Sequence, residues 1–569
     1  MEKRFLQGTE ALLLSLLAEG VNTIFGYPGG TIMPLYDTLY DYKDKINHIL
    51  VRHEQGAVHA AQGYARSTGK PGVCLATAGP GATNFVTGIA DAMMDSTPIV
   101  CITAQVSADK LGSHFFQEAD MIGITLPITK WSYQVTKAEE IPGIVSKAFR
   151  IATSGRPGPV VISLTRNAQV EKKEIGPAPE EPLPSNRKPE PGLEIIRKVK
   201  EAAELINASE KPLILAGQGV ILSGCEPLLQ ELAEKGNIPV ATTLLGISSI
   251  PTFHPLYFGN TGMHGHIAPN VMTQQSDLLI AIGMRFSDRV TGEVSGYAPH
   301  ARIIHIEIDK AEIHKTVKAD IALHADAGAV LALLNGEIKF RPRKEWLAFA
   351  AGAKAHEHST ILSKELGNKE GEILMGQVAE CVSRKGGYES IIVTDVGQNQ
   401  MFSARYASFS RKRSWITSGG LGTMGFGLPA AIGAKAGNPD KNVIAIVGDG
   451  GFQMNIQELG TIMQSGIKVK IVLLNNGCLG MVRQWQELFF DKRYAFTTLA
   501  NPDFIQLAGA YGIRGERVSD PAVLEEAVEK MYNWNGPYLL EITVRSEENV
   551  FPMVPAGASL DAMLLKKPV

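Results

Sequence analysis

The stretch Val443–Val482 reads VIAIVGDGGFQMNIQELGTIMQSGIKVKIVLLNNGCLGMV and decides the fold of its part of the chain. The apolar runs Val443–Val447 and Val469–Leu474 are typical of buried strands. The segment between them predicts one amphipathic helix that ends at Gly466, with an apolar face of Ile456, Leu459, Ile462 and Met463. A strand–helix–strand unit of this length predicts a right-handed crossover between two parallel strands.

Polar residues follow both strands of this unit. Gly448-Asp449-Gly450 ends the first strand, Asn475-Asn476 ends the second, and 24 residues (451–474) separate them. Because parallel strands end at one sheet edge, where ligands bind, we expect Asp449 and Asn476 to face one another. A carboxylate and an amide oxygen suit Mg²⁺ completed by diphosphate oxygens, and not zinc. The glycines allow backbone N–H groups to approach such an anion closely.

The rest of the chain shows the same alternation of apolar runs and helical segments. Further buried strands are predicted at Pro71–Thr77, Pro212–Ala216, Asp277–Ile282 and Ile303–Ile308. The pattern predicts an α/β fold of doubly wound parallel sheets with helices on both faces. Segments rich in proline or charge at Ile175–Pro191 and Phe340–Ser363 predict linkers. Three domains result, at 1–170, 190–340 and 365–550.

Composition excludes several classes of protein. With 569 residues, 44% hydrophobic and 20% charged, the chain is globular and not disordered. A net charge of −3 and 7% aromatic residues argue against nucleic acid as a partner. No apolar stretch reaches the roughly 20 residues of a membrane span. The five cysteines form no CxxC, and the N-terminal segment is interpreted as an amphipathic helix, not a signal peptide, so we expect a cytoplasmic protein.

Matching segments extend from Phe25–Gly30 (FGYPGG) to Phe551–Val554 (FPMV), and the spacing of GDG and NN is that of a magnesium–thiamine diphosphate motif. The chain therefore resembles the catalytic subunits of the acetolactate synthase (acetohydroxyacid synthase) family. The resemblance implies a pyrimidine-binding, a central FAD-binding and a diphosphate-binding domain, with residues 551–569 as a C-terminal tail near the active site. It implies decarboxylation of pyruvate on thiamine diphosphate and transfer of a hydroxyethyl unit to pyruvate or 2-ketobutyrate. That is the first common step of branched-chain amino-acid biosynthesis.

The resemblance also assigns residues to the thiamine site. Glu54 is the carboxylate that exchanges a proton with the aminopyrimidine; taken alone, it is a first-turn glutamate favoured by the helix dipole. Met424 wedges under the bent cofactor, the Gly30 backbone N–H faces an oxyanion, and Gln117 is a polar contact. The other expected cofactor contacts are Pro80, Asn84, Val396, Gly397, Gln398, Asn399, Gly422, Gly448, Gly450, Gly451, Gly480 and Met481. The expected metal ligands are Asp449, Asn476 and Cys478.

Substrate contacts are implied for Phe116, Val482 and Trp485, and the tryptophan favours 2-ketobutyrate over pyruvate as acceptor. Two positions depart from the family. Arg166 stands where the family has a substrate-channel lysine, and the two side chains are not equivalent. Asn399 stands where the family usually has histidine, so it can donate a hydrogen bond to phosphate but cannot carry charge.

The flavin assignment rests on the resemblance alone, because the chain has no GxGxxG. The implied FAD contacts are Arg156, Gly217, Gln218, Gly219, Thr243, Leu244, Met263, His264, Gly283, Arg285, Arg289, Glu307, Ile308, Asp326 and Ala327. Carboligation has no net redox step, so a largely structural role is expected for FAD. The family also implies a homodimer or homotetramer, because Glu54 and the diphosphate loop of one site come from different subunits. A separate regulatory small subunit is implied as well.

Other interpretations remain open at this point. Glyoxylate carboligase is opposed by Glu54, and a catabolic, FAD-free acetolactate synthase by the flavin-type segments. Pyruvate oxidase shares both organic cofactors, and a decarboxylase would release aldehyde. Asn399 and Arg166 give slight support to a catalytically silent homologue. A nicotinamide dehydrogenase would need a strand–GxGxxG–helix unit, which is not found.

Overall fold

The computed structural model describes residues 4–176, 192–368 and 371–566. Within these ranges lie three parallel sheets of six strands each, and helices cover both faces of every sheet. This arrangement confirms the predicted α/β fold of doubly wound sheets. Most of the predicted first linker, residues 177–191, lies outside the described residues.

The first sheet is formed by the N-terminal part of the chain. Its segment contains β1 (Arg4–Gln7), β2 (Thr23–Gly26), β3 (Asn47–Leu50), β4 (Gly72–Ala76), β5 (Ile99–Gln105), β6 (Trp131–Val135), β7 (Val160–Thr165) and β8 (Lys172–Ile175). The helices are α1 (Gly8–Ala18), α2 (Met33–Tyr40), α3 (Glu54–Thr68), α4 (Pro80–Thr83), α5 (Val86–Met94), α6 (Met121–Thr125), α7 (Ile141–Thr153) and α8 (Arg166–Val170). The strand order is β3-β2-β4-β5-β7-β6, while β1 and β8 form a separate antiparallel pair.

The second sheet has the order β11-β10-β9-β12-β13-β14. Its strands are β9 (Pro212–Ala216), β10 (Val240–Thr242), β11 (Tyr257–Asn260), β12 (Leu278–Ile282), β13 (Arg302–Glu307) and β14 (Ile321–His324). The helices are α9 (Leu193–Ala208), α10 (Gln218–Ser223), α11 (Glu226–Gly236), α12 (Ile267–Gln275), α13 (Asp288–Thr291) and α14 (Ala327–Glu337). The predicted second linker is helical, with α15 (Lys344–Glu357) and α16 (Ser363–Leu366), and Trp346 of α15 packs into the core of this sheet.

The third sheet has the order β16-β15-β17-β18-β20-β19. Its strands are β15 (Ile391–Thr394), β16 (Trp415–Ile416), β17 (Val443–Gly448), β18 (Lys470–Asn475), β19 (Arg514–Val518) and β20 (Tyr538–Thr543). The helices are α17 (Met375–Lys385), α18 (Gln398–Tyr406), α19 (Gly427–Gly437), α20 (Asp449–Met454), α21 (Leu459–Ser465), α22 (Gly480–Phe489), α23 (Phe504–Ala510) and α24 (Leu524–Asn533). β17 and β18 pair in parallel, as the decisive stretch predicts.

The prediction of one continuous helix between β17 and β18 is wrong. The segment forms α20 and α21, separated by a 3-10 turn at Ile456–Glu458. Two side chains at this break form hydrogen bonds with distant backbone groups. Asn455 donates to the Gly425 carbonyl (2.7 Å), and Glu458 accepts a bond from the Arg52 amide (3.0 Å). These tertiary bonds outweigh the local helical preference. The predicted stop at Gly466 is present, with φ at +65°.

Helices α3 and α19 hold the first and third sheets together. Glycine allows their backbones to touch, since a Cβ at Gly63 would lie 1.9 Å from the Ala430 carbonyl oxygen. A Cβ at Gly433 would likewise lie 1.8 Å from the Ala60 oxygen. Because the earlier contact residue of α3 meets the later contact residue of α19, the two helices run antiparallel. The packing fixes where each end of α3 lies relative to the third sheet.

The C-terminal tail lies between the second and third sheets. Arg405 of α18 donates to the carbonyls of Phe551 and Pro552, and the Val554 amide donates to the Met263 carbonyl at 2.8 Å. Among the described residues, no helix has both the length and the apolar character needed to cross a membrane.

Candidate functional site

A small cavity of about 60 Å³ lies at the carboxyl edge of the third sheet, where β17 and β18 end. Its lining contains most of the predicted diphosphate and metal residues: Val396, Gly397, Gln398, Asn399, Gly448, Gly450, Gly451, Asn476, Cys478, Gly480 and Met481. The predicted wedge Met424 and the predicted substrate contact Val482 line it as well. The structure thus brings together residues that are widely separated in the sequence. The first turn of α22, which begins at Gly480, supplies backbone N–H groups to this cavity.

Asp449 lies directly beside the cavity and is almost completely buried. Its carboxylate accepts hydrogen bonds from the Gly477 amide (2.9 Å), the Gly450 amide (3.0 Å) and the Asn501 side chain (2.7 Å). Burial raises the pKa of Asp449, and these bonds oppose the shift. A buried carboxylate held in this way is ready to bind a cation.

Asn476 faces the same space, and its Oδ1 accepts the Cys478 amide at 3.3 Å. The Cys478 thiol is directed to the Ser546 carbonyl, 3.8 Å away, so a metal-ligand role for Cys478 falls to its backbone carbonyl. The described residues contain no group of three or more His, Cys, Asp or Glu side chains that could hold a metal. The donor set is therefore one carboxylate and neutral oxygens, which fits Mg²⁺ completed by a diphosphate.

Asp395, at the end of β15, was not found from the sequence. Its carboxylate accepts the backbone amides of Val396 (2.8 Å), Gly425 (3.0 Å) and Gly427 (2.9 Å), and burial raises its pKa to about 6. Its position at the carboxyl end of a third parallel strand was the available signal. Asn399 is buried and donates to the Ile446 carbonyl at 3.0 Å, so its amide nitrogen already has a partner.

Gly480 is expected to be essential for this cavity. A Cβ there would lie 2.1 Å from the Gln398 side-chain oxygen and 2.8 Å from Asn476 Nδ2. Gly480→Ala should therefore displace both side chains and weaken thiamine diphosphate binding in Mg²⁺ by about tenfold or more, the scale of a displaced contact around a metal. Gly352→Ala in α15 is the matched control, because a Cβ there meets nothing within 4 Å. Titration of cofactor binding for both variants tests this; equal affinities would contradict it.

The pyrimidine-side residues cluster at the carboxyl edge of the first sheet. Glu54 is buried at the start of α3, and Asn84 donates to its Oε2 at 2.9 Å. A Cβ at Gly81, in the turn that begins with Pro80, would lie 3.1 Å from the other carboxylate oxygen. The structure thus surrounds Glu54 with the predicted Pro80–Asn84 segment.

The remaining predicted residues of this edge lie nearby. Arg166 donates to the Gly30 carbonyl at 3.3 Å, which joins the start of α8 to the YPGG loop. Gln117 has a φ of +63° and packs against Gly79. A Cβ added at Gly79 would lie 2.9 Å from the Cβ of Gln117. Phe116 is 83% exposed and does not line the small cavity.

A larger cleft of about 1420 Å³ lies between the three sheets. It is lined by every predicted flavin residue except Gly217: Arg156, Gln218, Gly219, Thr243, Leu244, Met263, His264, Gly283, Arg285, Arg289, Glu307, Ile308, Asp326 and Ala327. Gly217 supports the cleft from behind, where a Cβ would lie 2.2 Å from the Gly283 carbonyl oxygen. Burial lowers the pKa of His264 to about 3 and raises that of Glu307, so the wall holds a neutral histidine.

The cleft extends to the small cavity. Val396, Gly397 and Met481 line both, and Trp485 lines the cleft. We call Ser418–Met424 the shared loop, because its residues 418–422 line the cleft and Met424 lines the cavity. A Cβ at Gly450 would lie 3.7 Å from the Met424 methyl carbon, so Met424 projects over the diphosphate turn.

Glu54 and the shared loop lie at opposite ends of α3. Arg66, near the end of α3, donates to the Thr417 carbonyl at 2.6 Å, immediately before the shared loop. The rise from Glu54 to Arg66 is about 18 Å along a helix. Glu54 accordingly lines neither the cavity nor the cleft.

Comparison with protein families gives three matches. The description "Thiamine pyrophosphate enzyme, N-terminal TPP binding domain" matches residues 6–124, the central domain matches 199–334, and the C-terminal TPP binding domain matches 395–542. Each matched segment falls on a different one of the three sheets.

Curated relatives match almost the whole chain. The acetolactate synthase isozyme 2 large subunit of Escherichia coli is 45% identical, over 99% of this chain and 100% of its own length. The probable acetolactate synthase large subunit of Methanocaldococcus jannaschii is 47% identical over 98% and 94%, and the Corynebacterium glutamicum large subunit is 44% identical over 97% and 89%.

Proposed function

This chain belongs to the acetolactate synthase large-subunit family of thiamine diphosphate enzymes, and from this premise we propose the residues and partners of its reaction. The enzyme joins pyruvate, with loss of CO₂, to a second 2-keto acid. The observation that carries the residue assignment is the cavity that collects Asn476, Gly480 and Met424 at one sheet edge, directly beside Asp449. Thiamine diphosphate, when bound, supplies the stabilised carbanion that this chemistry needs.

The chain's own groups place the reactants and move the proton. Asn84 holds the Glu54 carboxylate, which can take up or release a proton at Oε1 toward a bound aminopyrimidine. Met424 fills the space above the diphosphate turn and excludes water there. The Gly30 amide is the proposed donor to a developing oxyanion.

Mg²⁺ and FAD are further proposals. Mg²⁺ is supported by the oxygen donors of Asp449 and Asn476. FAD is supported by the 1420 Å³ cleft and by Arg156, Arg285 and Arg289 in its wall, which suit phosphate oxygens. The same cleft disfavours the catabolic, flavin-free alternative.

We propose that each active site is shared by two copies of the chain. In a single chain the shared loop follows Thr417, which bonds to the end of α3 away from Glu54, and Glu54 does not line the cavity that Met424 lines. We therefore assign the Glu54 and the Met424 of one site to different copies. A homodimer, or a tetramer built from dimers, satisfies this if Glu54 of one copy faces the shared loop of the next. Phe116 and Gln117 would then reach the acceptor side of the partner's site.

Mixing two inactive variants tests the shared site. Glu54→Gln and Asp449→Asn chains, co-expressed with different tags, should recover about a quarter of wild-type activity if dimers form at random with two-fold symmetry. The recovery occurs because one site of each mixed dimer then contains neither substitution. If both residues act within one chain, the purified mixed dimer stays as inactive as either parent.

Acceptor choice is proposed to depend on Trp485, which lines the cleft and packs against Phe489 with the rings tilted by 46° and their centroids 5.0 Å apart. Trp485→Leu should lower the preference for 2-ketobutyrate over pyruvate about tenfold, within the discrimination expected for an apolar pocket. Competition between the two acceptors, read as the ratio of the two products, measures this. Phe253→Leu, a distant exposed aromatic, is the control, and an unchanged ratio in Trp485→Leu would contradict the assignment.

The relatives are named large subunits, and on that basis we propose a separate regulatory small subunit as a partner. Cys74 and Cys101 form no disulfide, although their sulfur atoms lie 3.4 Å apart on neighbouring strands. Unpaired thiols at this distance suit a reducing compartment, which supports the proposal of a cytoplasmic enzyme.

A further inference from the structure

Two buried carboxylates of the first sheet's domain bond to the shared loop of the third. Asp95 accepts the Gly419 amide at Oδ2 (2.8 Å) and the Gly420 amide at Oδ1 (2.6 Å). Asp91 accepts the hydroxyls of Ser418 and Thr423, both at Oδ1. Both aspartates are at most 1% exposed to solvent. Asp91 lies on α5, and Asp95 directly follows this helix.

These bonds span more than 320 residues of sequence and join two domains. Arg66 forms an ion pair with Asp95, with Nη1 3.2 Å from Asp95 Oδ2. Burying two carboxylates is costly, even beside a guanidinium, unless hydrogen bonds satisfy them. The loop supplies those bonds through two amides and two hydroxyls, so the carboxylates and the loop depend on each other.

The same helix end also holds flavin-side arginines. Arg285 donates to the Met94 carbonyl at 3.0 Å, and Arg156 donates to Ser96 Oγ at 2.8 Å. The segment Asp91–Ser96 therefore touches groups of both sites without lining the thiamine cavity itself. Its position suits a support that sets the loop between the two cofactors.

We propose that Asp91 and Asp95 are positioning residues that fix the shared loop. Through them the first domain determines where Met424 projects and how Gly420–Gly422 line the flavin cleft. Neither aspartate lines the cavity or the cleft, so each acts through the loop. The inference rests on the proposed thiamine and flavin sites, although the anchoring itself can be tested without either cofactor.

The two aspartates should differ in their tolerance of asparagine. Asp95 uses both oxygens as acceptors of N–H groups, so Asp95→Asn turns an NH₂ group toward a donor and breaks one anchor. Asp91 uses only Oδ1 for the loop, and its Oδ2 has no hydrogen-bond partner among the described residues. Asp91→Asn therefore keeps both loop bonds, whereas Asp91→Ala removes them.

Hydrogen exchange of the full-length protein without cofactors tests the anchor. In Asp95→Asn and Asp91→Ala, peptides covering residues 417–424 should exchange at least about tenfold faster than in wild type. Asp91→Asn and the exposed control Asp44→Asn should exchange at the wild-type rate. Equal effects of Asp91→Asn and Asp95→Asn would overturn the proposal, because they would indicate a general response to lost charge. Wild-type exchange in Asp95→Asn would overturn it as well.

Binding constants give the functional readout. The dissociation constants of FAD and of thiamine diphosphate with Mg²⁺ should both rise about tenfold or more in Asp95→Asn, and stay within about twofold in Asp91→Asn. If Asp95→Asn does not fold, the Asp91→Ala and Asp91→Asn pair gives the same comparison. Faster loop exchange with unchanged binding constants would overturn the positioning role. Wild-type protein that binds neither cofactor would instead contradict the proposed function.

Discussion

Glu54→Gln is expected to lower kcat for acetolactate formation by about 10²–10⁴-fold, the usual effect of losing a positioned acid–base group. Glutamine keeps the size of the side chain, and its carbonyl oxygen can still accept the 2.9 Å bond from Asn84. It cannot exchange a proton with a bound aminopyrimidine. The dissociation constant of thiamine diphosphate should therefore change only a few-fold, while turnover at saturating cofactor falls sharply.

Glu139→Gln is the matched control, since Glu139 is an exposed glutamate of the same domain. Its kcat should stay within about twofold of wild type, as for surface changes away from a site. Steady-state kinetics at saturating pyruvate and cofactors measures both variants. The assignment of Glu54 fails if the glutamine variant keeps more than about a tenth of wild-type kcat, well above the range for a lost acid–base group.

Asp449→Asn should remove most of the stabilisation that the two cofactors thiamine diphosphate and Mg²⁺ give to the protein. Loss of the one carboxylate in the proposed metal site is expected to weaken thiamine diphosphate binding in Mg²⁺ on the order of 100-fold. Since a ligand stabilises the fold according to its concentration over its Kd, the rise in Tm on adding cofactors should largely disappear. Thermal unfolding with and without the cofactors measures this change.

Without cofactors the same substitution should make stability less dependent on pH, while its NH₂ group, set against an N–H donor, costs a hydrogen bond at every pH. Burial raises the pKa of Asp449, so the ionised carboxylate is unfavourable in the folded protein when no cation is present. The neutral side chain removes that cost, and the gain should grow as pH rises above the ordinary pKa of aspartate. Asp440→Asn, at an exposed turn before β17, should show neither effect. A cofactor-dependent Tm rise equal to wild type would exclude Asp449 as a ligand.

Local patterns predicted the parts of the fold that depend on neighbours in sequence. The two apolar runs and the polar residues after them were enough to place Asp449 and Asn476 at one sheet edge. The continuous helix between them was wrong, because Asn455 and Glu458 bond to backbone groups 30 and 406 residues away. Periodicity contains no information about such partners.

The supporting carboxylates were missed for the same reason. Asp395 follows a strand end, but its partners, like those of Asp95, are amides brought close by the tertiary fold. The flavin residues come from seven separate segments with no local motif, so only the family resemblance could assemble them before the cleft was seen. The family resemblance likewise gave Glu54 its role in proton exchange, because a glutamate in the first turn of a helix is common. The sequence also does not show which copy of the chain binds the cofactor that Glu54 faces.

The most direct test of the central claim is product formation from pyruvate, with thiamine diphosphate, Mg²⁺ and FAD each omitted in turn. Acetolactate can be measured as acetoin after acid decarboxylation. We expect product that requires the first two cofactors and decreases without FAD. Folded protein, shown to be loaded with all three cofactors, that forms no acetolactate from pyruvate would contradict the account.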